Sequence, residues 1–161
     1  MKQVFESDRI SFVEVSEQLI PDYLVMINDI EHVDRFLGGA HDPYTEASEI
    51  EWVKENLEKK APVFSMIEKA SGQFIGNIEL MMEPGDKEAE LGIAITAAKQ
   101  DRGFGTEAVS ALLAYGFNRL GLKRISLRAF PGNTRAIRVY EKCGFREYDR
   151  TEEDVYMEIR R

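Results

Sequence analysis

The sequence predicts one α/β domain, of the α+β kind, in which a meander of strands is followed by alternating helices and strands. Three apolar runs between residues 63 and 95 are separated by turn-forming residues, which favours antiparallel strands. Beyond residue 104, helical spacing of apolar residues alternates with strand-like spacing. No linker, internal repeat or low-complexity tract divides the chain, so we expect a single domain over residues 1–161.

The first part of the chain predicts a strand and then two helices. Residues Arg9–Val15 are β-branched and aromatic enough for the strand. The apolar residues that then recur at helical spacing are Leu19, Tyr23, Ile27 and Ile30.

The second predicted helix begins after the helix-breaking segment Gly38–Pro43. Thr45 is its candidate N-cap, and Ile50, Val53 and Leu57 trace one side. Ser48 stands where a glutamate or glutamine would complete a capping box, so the box is predicted to be missing.

The remaining predicted elements follow from the same patterns. The meander consists of strands Val63–Ile67, Phe74–Met82 and Ala89–Ile95. A helix Gly105–Leu120, a strand Arg124–Phe130, a helix Asn133–Cys143 ended by Gly144, and a strand Val155–Ile159 complete the chain.

Charge is distributed unevenly along the chain. Residues 1–98 contain 8 Lys or Arg against 20 Asp or Glu, whereas residues 99–150 contain 11 against 5. A basic segment suits an anionic cofactor, and an acidic remainder attracts amine-bearing substrates and repels nucleic acid. Ordinary solvated surface charge is the alternative explanation.

Several classes of protein are disfavoured by the composition. Cys143 is the one cysteine, which excludes an intramolecular disulfide, and the widely spaced His32 and His41 do not fit a zinc site of the usual kinds, so no metal is expected. Residues Met1–Asp8 are charged and lack a long apolar run. We therefore expect no signal peptide, no membrane partner and a cytoplasmic location.

Residues 100–105, Gln-Asp-Arg-Gly-Phe-Gly, form a candidate anion-binding loop. Its two glycines precede a helix N-terminus, where successive N–H groups can wrap a pyrophosphate with help from Lys99 and Arg102. Residues 103–108 also match the dinucleotide fingerprint G-x-G-x-x-A. That alternative fails because seven residues separate the preceding strand from Gly103, and the next strand ends without an acidic residue.

The helix that begins near Asn133 carries the second motif. Asn133, Ala136 and Tyr140 share one helical face, and the small Ala136 leaves room for a thin ligand arm. Tyr140 would offer a phenol that is protonated at neutral pH and can donate to a leaving thiolate. A simple N-cap role for Asn133 and a core role for Tyr140 are the plainer alternatives.

These segments together resemble the GNAT superfamily of N-acetyltransferases. The resemblance lies in the run Glu90–Ile95, the loop Gln100-x-x-Gly103-x-Gly105, and Asn133-x-x-Ala136-x-x-x-Tyr140 followed by Glu141–Phe145. The branch with ribosomal-protein N-terminal and spermidine acetyltransferases is similar at Asn28, Tyr44-Thr45, Trp52 and Gly72-x-x-Ile75-Gly76. The similarity extends from about Asp8 to Arg150.

The resemblance implies a mixed, strongly twisted sheet flanked by helices, whose strands Ala89–Ile95 and Arg124–Phe130 splay apart into a wedge for acetyl-CoA. It implies that strand backbone pairs with the pantetheine arm, that the loop binds the pyrophosphate, and that Tyr140 protonates the departing sulfur. The implied cofactor-binding residues are Ile93, Ile95, Thr96, Gln100, Arg102, Gly103, Phe104, Gly105, Thr106, Asn133, Ala136 and Tyr140.

A proton acceptor is also needed, because only a neutral amine attacks the thioester. Glu90 is the first candidate for this catalytic role, since some family members use a glutamate near that position. Glu79 and a relay through water are the alternatives.

The resulting hypothesis is an acetyl-CoA-dependent enzyme that transfers the acetyl group directly to a primary amine of a small molecule, polyamine or peptide N-terminus. The N-terminal helices would form the acceptor side, near His32, Phe36, His41, Tyr44 and Trp52. A non-catalytic acyl-CoA-binding or interaction module and an enzyme for longer acyl groups are the alternatives. The resemblance also allows for a homodimer.

Overall fold

A computed structural model describes residues 1–33 and 42–161 of the chain. The strands are β1 Gln3–Glu6, β2 Ile10–Glu14, β3 Val63–Glu68, β4 Phe74–Met82, β5 Glu88–Ile95, β6 Arg124–Ala129, β7 Arg146–Arg150 and β8 Val155–Arg160. The α-helices are α1 Ile20–Ile27, α2 Glu46–Lys59, α3 Phe104–Ala114 and α4 Thr134–Lys142. Of the predicted break over Gly38–Pro43, residues 38–41 lie outside the described residues.

The described strands form one eight-stranded sheet in the order β1-β2-β3-β4-β5-β6-β8-β7. All neighbours are antiparallel except β5 and β6, which run parallel. The predicted antiparallel meander is therefore confirmed. β5 and β6 pair only where residues 88–90 meet residues 124–126, so the C-terminal half of β5 diverges from β6. This divergence is the predicted wedge.

Two apolar cores lie on opposite faces of the sheet. One is formed by α3, α4 and the central strands, with Phe12, Leu112 and Leu127 among its buried members. The other lies under α1 and α2 and includes Tyr23 and Val53. The wedge lies beside the first core, and helices α1 and α2 cover the second.

Helix α2 begins at a capping box that the sequence was expected to lack. The N–H of Ser48 donates to Thr45 Oγ1 at 3.2 Å, and the N–H of Thr45 donates to Ser48 Oγ at 2.9 Å. A serine hydroxyl at the third helical position thus does what a glutamate or glutamine does in the usual box. The prediction was wrong because it considered only those two longer side chains.

The helix predicted over Gly105–Leu120 changes its winding before it ends. Residues Tyr115–Arg119 form a π-helical turn, in which the N–H of Leu120 donates to the carbonyl of Tyr115. Gly116 packs so tightly that a Cβ there would lie 3.0 Å from Ile125 Cδ1. The last turn is therefore fitted to the sheet beneath it.

Candidate functional site

A cavity of about 370 Å³ opens where β5 and β6 diverge; we call it the wedge cavity. Its walls are the C-terminal half of β5, the loop before α3, the first turn of α3, and α4. Ten predicted residues line it, namely Ile93, Ile95, Gln100, Gly103, Phe104, Gly105, Thr106, Asn133, Ala136 and Tyr140. Among the described residues that do not line it are Glu90, Thr96 and Arg102.

The edge of β5 that faces the wedge cavity carries backbone groups that are not paired with a neighbouring strand in the described residues. The N–H of Thr96 donates to the carbonyl of Ile75 on the β4 side. Because backbone groups alternate in direction along a strand, Ala94 and Thr96 turn theirs toward β4, while Ile93 and Ile95 turn theirs toward the wedge. An extended ligand arm can therefore pair with Ile93 and with the N–H of Ile95, whose carbonyl already accepts from Gln100. The N–H of Thr96 is already used within the sheet.

The loop before α3 forms an anion cradle. Asp101 and Gly103 have φ values of 60° and 80°, so left-handed residues alternate with Arg102 between them. Such alternation directs successive N–H groups into one concavity. The N–H of Glu107 is the first to bond within the helix, to the carbonyl of Gly103, which leaves the N–H groups of residues 104–106 for a ligand.

Arg9 and Glu107 hold this loop from outside the wedge cavity. Glu107 accepts hydrogen bonds from the Arg9 backbone and side chain, both at 2.8 Å, and from the Ser7 hydroxyl. Arg9 also donates to the carbonyl of Arg102 at 3.0 Å and lies over the Phe104 ring. Burial alone would raise the pKa of Glu107, but the bonds from Ser7 and Arg9 outweigh it and lower the pKa.

The two cations predicted to assist the loop serve its structure. The buried ammonium of Lys99 donates to Glu68 at 3.0 Å and to Gln73 at 2.7 Å. The guanidinium of Arg102 lies 3.6 Å from Glu68 and over the ring of Phe104. Because Glu68 and Gln73 hold its ammonium, we do not expect Lys99 to contact a bound pyrophosphate directly.

Gln100 and Arg135 connect the loop to α4 across the mouth of the wedge cavity. Gln100 Nε2 donates to the carbonyl oxygens of Ile95 and His32, and Arg135 donates to Gln100 Oε1. Arg135 also bonds both carboxylate oxygens of Asp101 at 2.9 Å. Arg135 was not singled out from the sequence, although a cation on the first turn of the helix after Asn133 could have pointed to it.

Asn133 and Tyr140 lie on the α4 wall. Asn133 Oδ1 accepts from the N–H of Ala136 at 3.2 Å. Asn133 is therefore the N-cap of α4, which is the simpler of the two roles considered for it from the sequence. Tyr140 is 8% exposed, and no group in residues 1–33 or 42–161 hydrogen-bonds to its hydroxyl. Burial, with a smaller effect from Cys143, raises the pKa of Tyr140 to about 12. A protonated phenol therefore faces the wedge.

A second cavity of about 310 Å³ lies on the other side of β5, beneath α1 and α2; we call it the helix-side cavity. Residues 92–94 line both cavities, so the two meet across this strand. The side chains that line the helix-side cavity include Tyr23, Tyr44, Glu49, Trp52, Asn77 and Glu79.

Two carboxyl groups give the helix-side cavity an acidic character. Burial and the nearby charge of Glu90 raise the pKa of Glu79, and burial raises that of Glu49. Glu49 is 8% exposed, yet within the described ranges no group hydrogen-bonds or ion-pairs with its carboxyl. Sequence reasoning missed it, although its position four residues before Val53 places an acid on the apolar side of α2.

Glu90 is placed away from both cavities. Its carboxylate accepts a 2.9 Å hydrogen bond from Arg128 Nε. Glu79, the alternative, lines the helix-side cavity one strand over from Gly92.

The other predicted acceptor-side residues differ in their surroundings. Trp52 is half-buried and packs edge-on against Tyr23, with ring centroids 5.6 Å apart. His32 is bonded to Asp29 and lines the wedge cavity rather than the helix-side one. Phe36 and His41 lie outside the described residues.

The described part of the chain contains no group of three or more His, Cys, Asp or Glu side chains arranged for a metal ion. It also contains no helix that is long and apolar enough to span a membrane.

Comparisons with known proteins agree with this geometry. The profile of the family described as "Acetyltransferase (GNAT) domain" matches residues 9–146. The protein named "Uncharacterized N-acetyltransferase p20" of Bacillus licheniformis is 32% identical over 130 residues, which cover 71% of this chain and 73% of that one. Spermidine N(1)-acetyltransferase of Vibrio cholerae is 29% identical over 118 residues, covering 72% and 68%.

A solved structure has the same fold. Spermidine N-acetyltransferase from Vibrio cholerae, in complex with CoA and spermine, superposes with a TM-score of 0.83 at 21% identity. The match covers 94% of this chain and 95% of that one. The predicted fold class is therefore confirmed, and the relatives named as acetyltransferases favour the enzyme over the non-catalytic module.

Proposed function

Because the chain belongs to the GNAT acetyltransferase family, we propose that it transfers an acetyl group from acetyl-CoA directly to a cationic primary amine held in the helix-side cavity. The observation that carries this proposal is the meeting of two cavities at residues 92–94 of β5. One cavity has an anion cradle and an open strand edge, and the other has unpaired carboxyl groups.

The wedge cavity would hold acetyl-CoA. The N–H groups of residues 104–106 would bind the pyrophosphate, and the pantetheine arm would pair with the backbone of Ile93 and Ile95. Arg135, fixed by Gln100 and Asp101, places a guanidinium at the mouth of the cavity, where the Asp101 carboxylate offsets its charge. The sulfur would then lie near Tyr140, and the acetyl group would reach β5.

Glu79 is proposed as the base in place of Glu90. Glu79 lines the helix-side cavity and lies opposite Gly92, whereas the Glu90 carboxylate is bound by Arg128. Its raised pKa makes it a better proton acceptor than an ordinary surface glutamate. Glu79 would take a proton from the ammonium of the acceptor, and the neutral amine would attack the carbonyl carbon of the thioester.

Tyr140 is proposed as the acid. The carbon–sulfur bond breaks, its electron pair remains on sulfur, and the phenol donates its proton to that sulfur. A pKa of about 12 keeps the phenol protonated before the reaction at neutral pH. The acceptor nitrogen loses a second proton as the tetrahedral intermediate collapses to the amide, and this proton returns through water to the phenolate. The high pKa of Tyr140 ensures that the phenolate is reprotonated, while Glu79 releases the first proton to solvent. Cys143 has no part in this direct transfer.

The acceptor class follows from the helix-side cavity. Glu49 and Glu79 are unneutralised acids within it, and the half-buried ring of Trp52 offers a face or edge for an alkylammonium chain. The similarity to a spermidine acetyltransferase supports cationic aliphatic amines as the first acceptors to test.

The single domain and the homodimer stay predictions. Limited proteolysis would test the first, and light scattering would test the second.

The test of this proposal is thiol release from acetyl-CoA in the presence of polyamines, simple alkylamines, aminoglycosides, amino acids and N-terminal peptides. We expect saturable turnover with cationic aliphatic amines and an N-acetylated product by mass spectrometry. Acetyl-CoA binding without turnover for any amine would contradict the proposal.

A further inference from the structure

A chain of side-chain hydrogen bonds runs from α1 through the sheet to the helix-side cavity. The N–H of Ser16 donates to Tyr23 Oη at 3.2 Å, and Tyr23 Oη lies 2.6 Å from Ser65 Oγ. Ser65 Oγ in turn donates to Asn77 Oδ1 at 2.8 Å. Nothing in the reaction proposed above uses this relay.

The direction of the relay is fixed by the protons available. Tyr23 is 1% exposed and Ser65 is fully buried. If Asn77 turned its amide nitrogen toward Ser65, the serine proton would have to go to Tyr23. The phenol proton would then be buried without an acceptor, which folded proteins avoid. Asn77 therefore presents its oxygen to Ser65 and its amide N–H groups to the cavity.

Asn77 lines the helix-side cavity, next to the residues of β5 that line both cavities. Asn77 faces Ala94 across β4 and β5, and Glu79, two residues along β4, faces Gly92. Gly92 and Ala94 carry at most a methyl group on this face, and both line the two cavities. No group within residues 1–33 and 42–161 accepts a hydrogen bond from Asn77 Nδ2.

We propose that Asn77 is a catalytic residue of this reaction, whose Nδ2–H donates to the carbonyl oxygen of the acetyl group, and that Ser65 and Tyr23 are positioning residues. The inference rests on the proposed function. As the amine forms its bond to carbon, the carbonyl π pair moves onto oxygen, and a donor fixed beforehand stabilises that charge. The pair returns when the carbon–sulfur bond breaks.

The first test is the infrared band of carbonyl-labelled acetyl-CoA bound to the protein, which requires no acceptor. We expect the band at lower wavenumber in the wild type than in solution, and expect this shift to be lost in Asn77→Asp and in the apolar Asn77→Leu. The exposed Asn118→Asp is the matched control and should keep the shift. The same band position in wild type and in both Asn77 variants would overturn the inference.

The second test is kinetic. Asn77→Asp should lower kcat about 100-fold with every acceptor and leave the acetyl-CoA Kd within a few-fold. A change confined to the KM of particular amines would instead make Asn77 an acceptor-binding residue and overturn the inference. In Tyr23→Phe the Asn77 amide is free to rotate by about 180°, so the carbonyl band of acetyl-CoA bound to this variant should split in two. A single band at the wild-type position would show that Tyr23 does not position Asn77.

The two proposals can fail separately. A carbonyl shift that depends on Asn77, without turnover for any amine, would contradict the proposed function and support only the hydrogen bond from Asn77 to the acetyl carbonyl, not its catalytic role. Turnover with amines, with neither the carbonyl shift nor kcat depending on Asn77, would support the proposed function and contradict the role of Asn77.

Discussion

Glu79 and Gly92 face each other across β4 and β5, and the glycine leaves the space that the carboxylate side chain uses. A Cβ at position 92 would lie 3.3 Å from Glu79 Oε1 and 3.4 Å from its Cγ. Any larger residue would thus press on the glutamate at the point where the two cavities meet. This juxtaposition is the structural basis for proposing Glu79 as the base.

Removing the carboxylate of Glu79 should weaken acetyl transfer and change its pH dependence. A base acts only when deprotonated, so kcat/KM of the wild type should rise as pH increases through the raised pKa of Glu79. Glu79→Gln should lower kcat/KM about 100-fold or more at neutral pH and remove this acidic limb. Glu83→Gln, an exposed glutamate in the following turn, is the control for pH-rate profiles. An unchanged acidic limb in Glu79→Gln would assign the base elsewhere.

Tyr140→Phe should reduce kcat while acetyl-CoA still binds. The hydroxyl has no hydrogen-bond partner within the described ranges, so its loss leaves no protein group unpaired. We expect a decrease of about 100-fold or more in kcat, measured by thiol release, and an acetyl-CoA Kd within a few-fold by calorimetry. In the wild type no basic limb from Tyr140 should appear below about pH 10, given its pKa of about 12. Tyr148→Phe, an exposed tyrosine on β7, should behave as wild type; equal kcat in both variants would sink the acid role.

Gly105→Ala should separate cofactor binding from stability. A Cβ there would meet only Ile95 Cδ1 at 3.5 Å and Val139 at 3.8 Å, which is ordinary contact. Alanine in a helix also stabilises by about 0.5–1 kcal/mol relative to glycine. The expected result is an equal or higher Tm with weaker acetyl-CoA binding, because the methyl group enters the anion cradle.

Gly103→Ala is the informative partner of that variant. Its φ of 80° strains any residue with a Cβ, so both Tm and acetyl-CoA affinity should fall. Full cofactor affinity in Gly105→Ala would show that the cradle does not approach the ligand closely.

Glu107→Gln should destabilise the protein in a pH-dependent way. The variant loses the ionic bonds to Arg9 and alters the bond from Ser7, which should lower the free energy of unfolding by about 1–3 kcal/mol at pH 7. Since the folded-state pKa of Glu107 is lowered, its stabilisation is complete above the unfolded pKa of about 4.3 and is lost as pH falls through the folded value. Urea unfolding at pH 7 and at pH 3 should therefore show the difference from wild type shrinking in acid; a constant difference would refute the role of the charge.

Glu49→Gln should affect acceptor binding rather than chemistry. The buried carboxyl lacks a partner within the described residues and lines the helix-side cavity, so a cationic acceptor would supply its counter-charge. We expect a higher KM for di- and polyamines, a nearly unchanged kcat, and little effect on a simple alkylamine. Glu51→Gln, on the exposed side of α2, is the matched control. A uniform loss of kcat would instead make Glu49 part of the chemistry.

Local sequence patterns were sufficient for most of the fold. Strand β4 has the predicted bounds, β5 and β6 differ from theirs by one residue at one end, and α4 differs by one residue at each end. The strands that were missed, β1 and β7, lie at the two edges of the sheet. β7 is exposed along its whole length, so it has no alternation of apolar and polar residues to detect.

The proposed catalytic carboxylate illustrates what the sequence could not provide. Glu79 and Glu90 both belong to strands of the meander, and the meander was predicted correctly. What distinguishes them is Arg128, which lies on β6 and binds Glu90. That contact depends on the parallel register of β5 with β6 across 38 residues of chain, and no local pattern encodes it. The orientation of Asn77 is hidden for the same reason, since Tyr23 and Ser65 determine it from other elements.

The most direct measurement is acetyl-CoA thiol release by the wild type with a panel of amines, with calorimetric CoA binding on the same preparation. The structure predicts tight CoA binding together with saturable N-acetylation of cationic aliphatic amines, faster than that of anionic or neutral acceptors. CoA binding with no amine accelerating thiol release would contradict the assignment of the two cavities to a cofactor and an acceptor that react across β5.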